Sequence, residues 1–413
     1  MTPDAALPAE EASSSPHTTP LRPRGSNQVG MRQFNERVVL QALRLHGALP
    51  KADLARLTGL TAQTIGLITA RLDEDGLILK QDRVRGRIGQ PSVPLALNPD
   101  GAYAIGIKIG RRSTDWLLTD FAGAVRQRTT LDYAFPDAGE LLPAIDRQLR
   151  HLRQSLGAQA SRLVGVGVAV PFQMGGWHRM LGLSAAQSDA WNRMDLAAEV
   201  QALPDLPVSY AKDTSAACVA ELVQGRGRDL KSFLYLFVDT FVGGGLVLNS
   251  QLHSGVRGNA GAVASLPTGL AQDAHAPDQL VRGASLWELE QMFQRAGLDA
   301  AAAYDERALQ PGWQTHTQAW IAQAANALAH CIVSGTAFVD VDAVVMDGSL
   351  APGVLQALQA ATQDALHRYN WEGLWMPTLH AGTIGADARA LGGALLPLHA
   401  NFAPDSDIFL KAA

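Results

Sequence analysis

The sequence predicts an α/β protein that opens with a winged helix-turn-helix. Three observations carry this. Between residues 34 and 97, three short helical patterns lead into two short strands around a basic, glycine-rich turn. From Tyr103 onward, strand patterns alternate with helical ones, as in mixed-sheet α/β folds. The charge is also uneven. Residues 22–87 hold 12 Arg and Lys against 6 Asp and Glu, a net of +6 in a chain of net −5, so the remainder carries −11. Nucleic-acid affinity is dominated by phosphate neutralisation, so the local excess matters more than the global deficit. The alternative is an ordinary solvated face.

The elements follow in order. Phe34, Val38, Ala42 and Leu45 share one face of a first helix. Pro50 opens a second, with Leu54 and Leu57 pointing the same way, because a first helical position has no use for the missing N–H. Thr58-Gly59-Leu60 makes a tight turn. Thr61 is an N-cap for a third helix over about 62–75, whose buried stripe is Ile65, Ile68 and Leu72. Leu60 and Ile65 stand at the positions of a hydrophobic staple, and Gly76 ends the helix. Residues 77–79 and 93–97 are strands flanking a wing at 83–89. Asn98-Pro99-Asp100-Gly101 is a joint. Beyond it, 103–109, 116–120 and 124–130 read as strands, 138–156 as a helix and 163–170 as a buried strand. Residues 213–225 read as helix, 233–238 as strand, Gly243-Gly244-Gly245 as a turn into the strand 246–248, and 318–335 and 352–368 as helices around the strand 343–346. No repeat of fixed period is visible.

Three regions are therefore expected: a disordered Pro/Ser/Thr-rich tail over 1–26, the winged module over 27–97, and a larger body over 98–413. The tail lacks the apolar core of a signal peptide, and no apolar run is long enough to span a membrane. The only cysteines, Cys218 and Cys331, are far apart in apolar surroundings, as expected of buried reduced thiols in a cytoplasmic protein. No closely spaced Cys/His cluster suggests structural zinc.

In the third helix, Thr61, Gln63, Thr64, Gly66, Leu67 and Arg71 are the expected DNA-facing set, joined by Arg83, Arg85 and Arg87 of the wing. Gln63 can pair bidentately with adenine, Arg71 can reach phosphate, and the wing arginines suit a narrow minor groove. Gly66 costs roughly 1 kcal/mol inside a helix, so it reads either as a place of close approach to DNA or as a tolerated surface glycine.

The order of a winged helix, a β-meander, VGVGVAVP, KDTSAACVAE, GGGLVLN, GNAG and VVMDGSL resembles the ROK family, over roughly 30–410. That family joins bacterial sugar kinases and sugar-responsive repressors. The resemblance implies an actin-like (ribonuclease H-like), two-lobed ATPase-type body that binds a small effector and associates as a homodimer or homotetramer. The departures bear on mechanism. Where the kinases carry D-x-G-G-T, with a carboxylate that organises Mg²⁺, this chain has Lys108-Ile109-Gly110-Arg111-Arg112. Lysine cannot ligate Mg²⁺, though arginine can attract an anion. Where the family reads G-E-x-G-H, the chain reads Gly261-Ala262-Val263-Ala264-Ser265, and the family's zinc cysteines are missing. Asp347 follows a strand where a nucleotide turn is usual and would repel phosphate.

The resemblance places Gln187, Asp213, Gly243, Gly244 and Asn259 in an effector site. Asp213 matches the kinase general base; the alternatives are a cap for the following helix, alone or with ligand contact. Gly243-Gly244-Gly245 matches a phosphate loop, or is a tight turn between strands. No catalytic residue, metal or cofactor is assigned. The function expected is a transcriptional regulator, a repressor of carbohydrate uptake or catabolism genes, binding an inverted-repeat operator and responding to a sugar-like effector. The alternatives are an ATP-dependent sugar kinase with an appended DNA-binding module, and a regulator with a vestigial ligand site governed by a partner protein.

Overall fold

The computed structural model describes residues 28–82, 93–176, 178–182, 184–271 and 276–404. The amino-terminal module contains α1 (Gln28–His46), α2 (Lys51–Thr58), α3 (Ala62–Glu74), β1 (Ile78–Lys80) and β2 (Leu95–Leu97), the two strands pairing antiparallel. Pro50 is the N-cap of α2, one residue earlier than the sequence suggested. Thr61 caps α3 as expected, its hydroxyl accepting from the Thr64 amide at 3.2 Å. At the other end Gly76 takes φ 71°, and Gly76 N and Leu77 N donate to Asp73 O and Leu72 O. This pairing satisfies the last carbonyls of α3 and turns the chain sharply into β1.

Two core assignments in this module need correcting. Phe34 is 46% exposed and Leu57 is 42% exposed, whereas the buried face of α1 is Val39, Leu40, Ala42 and Leu43. The reason is that α1 has two partners. One side packs on α2, α3 and β2, and the other faces the body, so a single 3–4 stripe does not describe it.

The body has two lobes. The first contains β3 (Tyr103–Ile109), β4 (Ser113–Asp120), β5 (Val125–Asp132), α4 (Ala138–Ser155), β6 (Leu163–Val170), α5 (Ala185–Arg193), α6 (Leu196–Gln201) and β7 (Val208–Lys212). Its sheet runs β5-β4-β3-β6-β7, with an antiparallel meander on one side and β6 and β7 parallel to β3 on the other. Next, α7 (Asp213–Gln224) leads into the second lobe: β8 (Phe233–Val238), β9 (Gly243–Leu248), β10 (Gln251–Leu252), α8 (Leu280–Ala284), α9 (Leu286–Arg295), α10 (Gln314–Val339), β11 (Ala343–Gly348), α11 (Pro352–Leu366) and β12 (Thr378–Ala381). The second sheet runs β10-β9-β8-β11-β12 and repeats the plan of antiparallel strands followed by parallel ones. β3, β8 and β11 are buried throughout, which is why they read as apolar runs without alternation, broken only by Lys108 in β3 and Asp347 in β11.

The last helix, α12 (Ala388–Phe402), returns to the first lobe and packs on α7, β3 and β6. Its approach is very close: a Cβ on Gly106 would stand 1.9 Å from Ala390 O, and one on Gly167 1.8 Å from Gly393 O. Only glycine fits at these crossings. α12 has one end in the interlobe cleft and the other against the module. The rings of Phe402 and Phe121 meet edge to face at 4.6 Å. Arg44 of α1 donates to Phe121 O at 3.1 Å and lies 5.1 Å over that ring, while Arg228 donates to Leu45 O at 2.8 Å. A cavity of about 270 Å³ remains between α1 and the body, lined in part by Arg44, Leu45, Leu395, His399 and Phe402.

Candidate DNA interface and effector cleft

On α3, Ile65, Ile68 and Leu72 face inward, and the buried Thr69 donates to Ile65 O at 2.8 Å. Thr61, Gln63, Leu67 and Arg71 stand exposed, Leu67 at 68%, with Thr64 and Gly66 at the edge. The Thr61 hydroxyl is committed to the cap and lies 2.9 Å from the Thr64 hydroxyl. Arg71 is paired with Glu36 at 2.8 Å, an exposed bond that costs little to exchange for a phosphate. A Cβ on Gly66 would meet nothing within 4 Å, so nothing in this chain requires a glycine there. Arg83, Arg85 and Arg87 lie outside the described residues.

Between the lobes are two chambers that share Arg111, Pro171, Asp213 and Phe241. The first, about 470 Å³, brings together Asp213, Gly243, Gly244 and Asn259. Gln187 is not among its lining residues. It is exposed in the first turn of α5, where its Oε1 accepts from the Ser184 amide at 3.1 Å in a capping box. Loose alignment on the later tryptophan misplaced it, because Trp191 is turned inward and donates to Pro136 O. Asp213 is the first residue of α7, with Lys212 at the cap, and its Oδ1 accepts from the Thr214 amide at 2.7 Å. A carboxylate here is favoured by the helix N-terminus.

The three glycines are neither a phosphate loop nor a turn. They begin β9, none has positive φ, and they pair with 235–237 of β8. Their role is to admit α7. A Cβ on Gly243 would stand 2.6 Å from Thr214 Cγ2, and one on Gly245 2.7 Å from Cys218 Cβ. Thr214 donates to Gly244 O at 2.9 Å across the same contact.

Sequence reasoning left Arg111, Lys212, Phe172, Gln173, Ser265 and Gln279 out of this chamber's lining. Arg111 was legible as an anion-attracting residue, but only the β3–β4 turn shows where it points. Its guanidinium donates to Gln173 O at 2.8 Å and lies 5.0 Å over the Phe241 ring; burial lowers its pKa to about 10. The Lys212 ammonium donates to Ala260 O at 2.7 Å, and burial lowers its pKa to about 8.

The second chamber, about 420 Å³, is crowded with ion pairs. Lys108 is buried, 3.0 Å from Asp115 and 2.6 Å from Ser113 Oγ, with its pKa lowered by burial and by the charge of Arg389. Arg389 of α12 pairs with Asp239, lies 4.9 Å over Phe237 and donates to Ser349 Oγ at 3.3 Å. Arg112 forks onto Glu290 of the other lobe at 2.9 and 2.8 Å, and burial raises the Glu290 pKa despite that partner. Arg128 pairs with Asp387. These residues do not fit a magnesium-bound nucleotide. An ammonium sits where the resemblance calls for a metal-organising carboxylate, and Asp115, Asp239 and Asp387 are each taken by a cation.

Asp347 is not placed to repel a phosphate. It is buried in β11, outside the lining of the second chamber, and accepts from Tyr235 OH at 3.1 Å, Gly385 N at 3.2 Å and Gly348 N at 2.8 Å. Burial and the neighbouring Glu221 push its pKa up to about 6. Glu221, at the far end of the KDTSAACVAE segment, accepts from the amides of Thr383 and Ile384 at 2.5 and 2.8 Å and so ties α7 to the loop before α12. Among the described residues no three His, Cys, Asp or Glu gather as a metal site, and no helix is long and apolar enough to cross a membrane.

Residues 104–275 match the model of the ROK family, so this chain carries a ROK domain behind its winged module. It is 22% identical to the xylose repressor of Bacillus subtilis (strain 168) over 266 residues, 64% of this chain and 67% of that protein. Among solved structures, a ROK family transcriptional regulator described as a homologue of the E. coli MLC protein superposes with a TM-score of 0.66 at 20% identity, covering 91% of this chain and 98% of that one. A ROK family glucokinase from Streptomyces griseus, solved with glucose and AMPPNP, superposes with a TM-score of 0.56 at 18% identity, covering 71% of this chain and 99% of the kinase. The actin-like fold is therefore common to both kinds of neighbour. The 29% of this chain that the kinase leaves uncovered is large enough to hold the winged module.

Proposed function

We propose that this chain is a transcriptional repressor of sugar-utilisation genes, whose α3 enters a major groove and whose interlobe cleft binds a small sugar-like effector. The single observation that carries this is the exposed face of α3, with Gln63, Leu67 and Arg71 outward on a helix capped and packed from behind. The name of the Bacillus subtilis relative, a xylose repressor, supports a sugar-linked role. Two modules held on one dimer gain effective concentration and read an inverted repeat, which makes a homodimer the expected working form. The effector acts by binding one lobe arrangement more tightly than another. α12 is the element suited to pass this on, since Arg389 stands in the cleft and Phe402 stands beside α1.

The chain is proposed to be no kinase, on the strength of Lys108 and the paired aspartates. Incubation with ATP, Mg²⁺ and a panel of sugars is expected to release no ADP. The regulator reading is tested by fluorescence anisotropy of the full chain with inverted-repeat duplexes from beside its own gene, at moderate salt. Saturable binding supports it, and failure to bind any of them overturns it.

A further inference from the structure

The first chamber holds two cationic side chains, Arg111 and Lys212, against a single carboxylate, Asp213. Its neighbour, where the shared Arg111 and Asp213 offset each other, is neutralised by Lys108 with Asp115, Arg389 with Asp239, Arg112 with Glu290 and Arg128 with Asp387, leaving Asp132 at an exposed rim. The excess positive charge therefore belongs to the first chamber. We propose that its ligand is an anionic sugar, a polyhydroxylated monocarboxylate of the aldonate or uronate type, with its carboxylate taken by Arg111 and Lys212. This rests on the chamber being the effector site of a regulator.

The chemistry favours this class over its neighbours. The Glu and His that the resemblance calls for at 262 and 265 to hold sugar hydroxyls are here Ala and Ser, which leaves Asp213 as the one carboxylate in the lining. Lys212 donates to the Ala260 carbonyl and has Asp213 as its neighbouring opposite charge, so a neutral ligand would leave Arg111 and Lys212 to share one carboxylate. A guanidinium fork matches a carboxylate in plane, and its stacking on Phe241 holds it in orientation. A phosphate monoester carries nearly two charges, one more than the excess, and the glycine amides that could cradle it belong to the β8–β9 ladder. Asn259 and Ser265 in the lining can meet hydroxyls, and Phe172 offers an apolar face at the mouth.

The test is a thermal-shift and calorimetric panel on the full chain: the aldonates and uronates of the common hexoses and pentoses, their neutral parents and their terminal phosphates. Acids are expected to bind and the parents not to. Arg111→Gln and Lys212→Gln should each weaken acid binding by about tenfold or more, and Ala262→Glu, an exposed position, should do the same by adding the opposite charge. The inference is overturned if a neutral parent or a phosphate binds more tightly than every acid, if no acid binds, or if Ala262→Glu, with unliganded melting unchanged, leaves acid affinity unaltered. Operator binding is measured separately. Acid binding without DNA binding sinks the regulator reading alone, and DNA binding without acid binding sinks this inference alone.

Discussion

Single side chains account for much of what the cleft has lost and gained. Arg112 reaches from the β3–β4 turn to a Glu290 that is almost fully buried, so each carries the other's desolvation cost. Removing the arginine leaves a buried carboxylate without its counter-charge. Arg112→Ala is expected to cost about 2–3 kcal/mol in urea denaturation, below the full buried-pair range because Arg112 is partly exposed. Glu290→Gln should cost less, since the cation left without its counter-charge is partly exposed and the amide can still hydrogen-bond it. Asp347 gives a pH signature. Its pKa is raised in the folded state to about 6, so the native protein binds more protons than the unfolded chain between the ordinary carboxylate range and pH 6. Its contribution to stability is fully present below that range and is lost as pH rises through 6. At about 1.4 kcal/mol per unit, the change is on the order of 2–3 kcal/mol. Asp347→Asn should flatten this segment of the stability–pH curve, as measured by denaturant midpoints from pH 4 to 7; an unchanged slope contradicts the assignment.

At the level of elements, α3 and α12 divide the work. Gln63→Ala is expected to cost about 1–3 kcal/mol of operator binding and to relax preference at one base pair, while Arg71→Ala should weaken all duplexes alike and reduce the salt slope by about 1. Both are read by anisotropy titrations over a salt series. Phe402→Ala, which removes the ring packed on Phe121 beside α1, should leave ligand affinity and unliganded operator affinity near their original values but shrink the effect of ligand on DNA binding. α3 was legible because its signals are local: Thr61 caps it, three isoleucine and leucine positions face inward and Gly76 stops it. α12 was not, because it carries Gly392, Gly393 and an internal Pro397 and is buried on more than one side, so it shows neither a clean stripe nor a good propensity. The same ambiguity misled the reading of Gly243-Gly244-Gly245. Glycine signals that something needs room, but the sequence does not say whether that is a turn, a phosphate or, as here, a helix. The cleft was half legible for a related reason. Asp213 and Asn259 lie in recognisable segments, whereas Arg111 and Lys212 enter the chamber through the β3–β4 turn and the end of β7, whose directions are set by the assembled sheet.

For the whole molecule, the fold joins an outward-facing helix to a two-lobed body whose second chamber is lined by its own ion pairs. Of these, Arg112 with Glu290 and Arg389 with Asp239 tie one lobe to the other, and α12 runs from that contact to α1, the route proposed for the effector's signal. The measurement that bears most directly on this picture is equilibrium binding of the full chain to an inverted-repeat duplex from beside its own gene, repeated with ATP and Mg²⁺ and with the sugar-acid panel. The expected result is saturable, salt-sensitive binding that a sugar acid shifts severalfold and ATP leaves unchanged, with no ADP formed. Absence of binding to any such duplex, or ADP release with a sugar present, would contradict it.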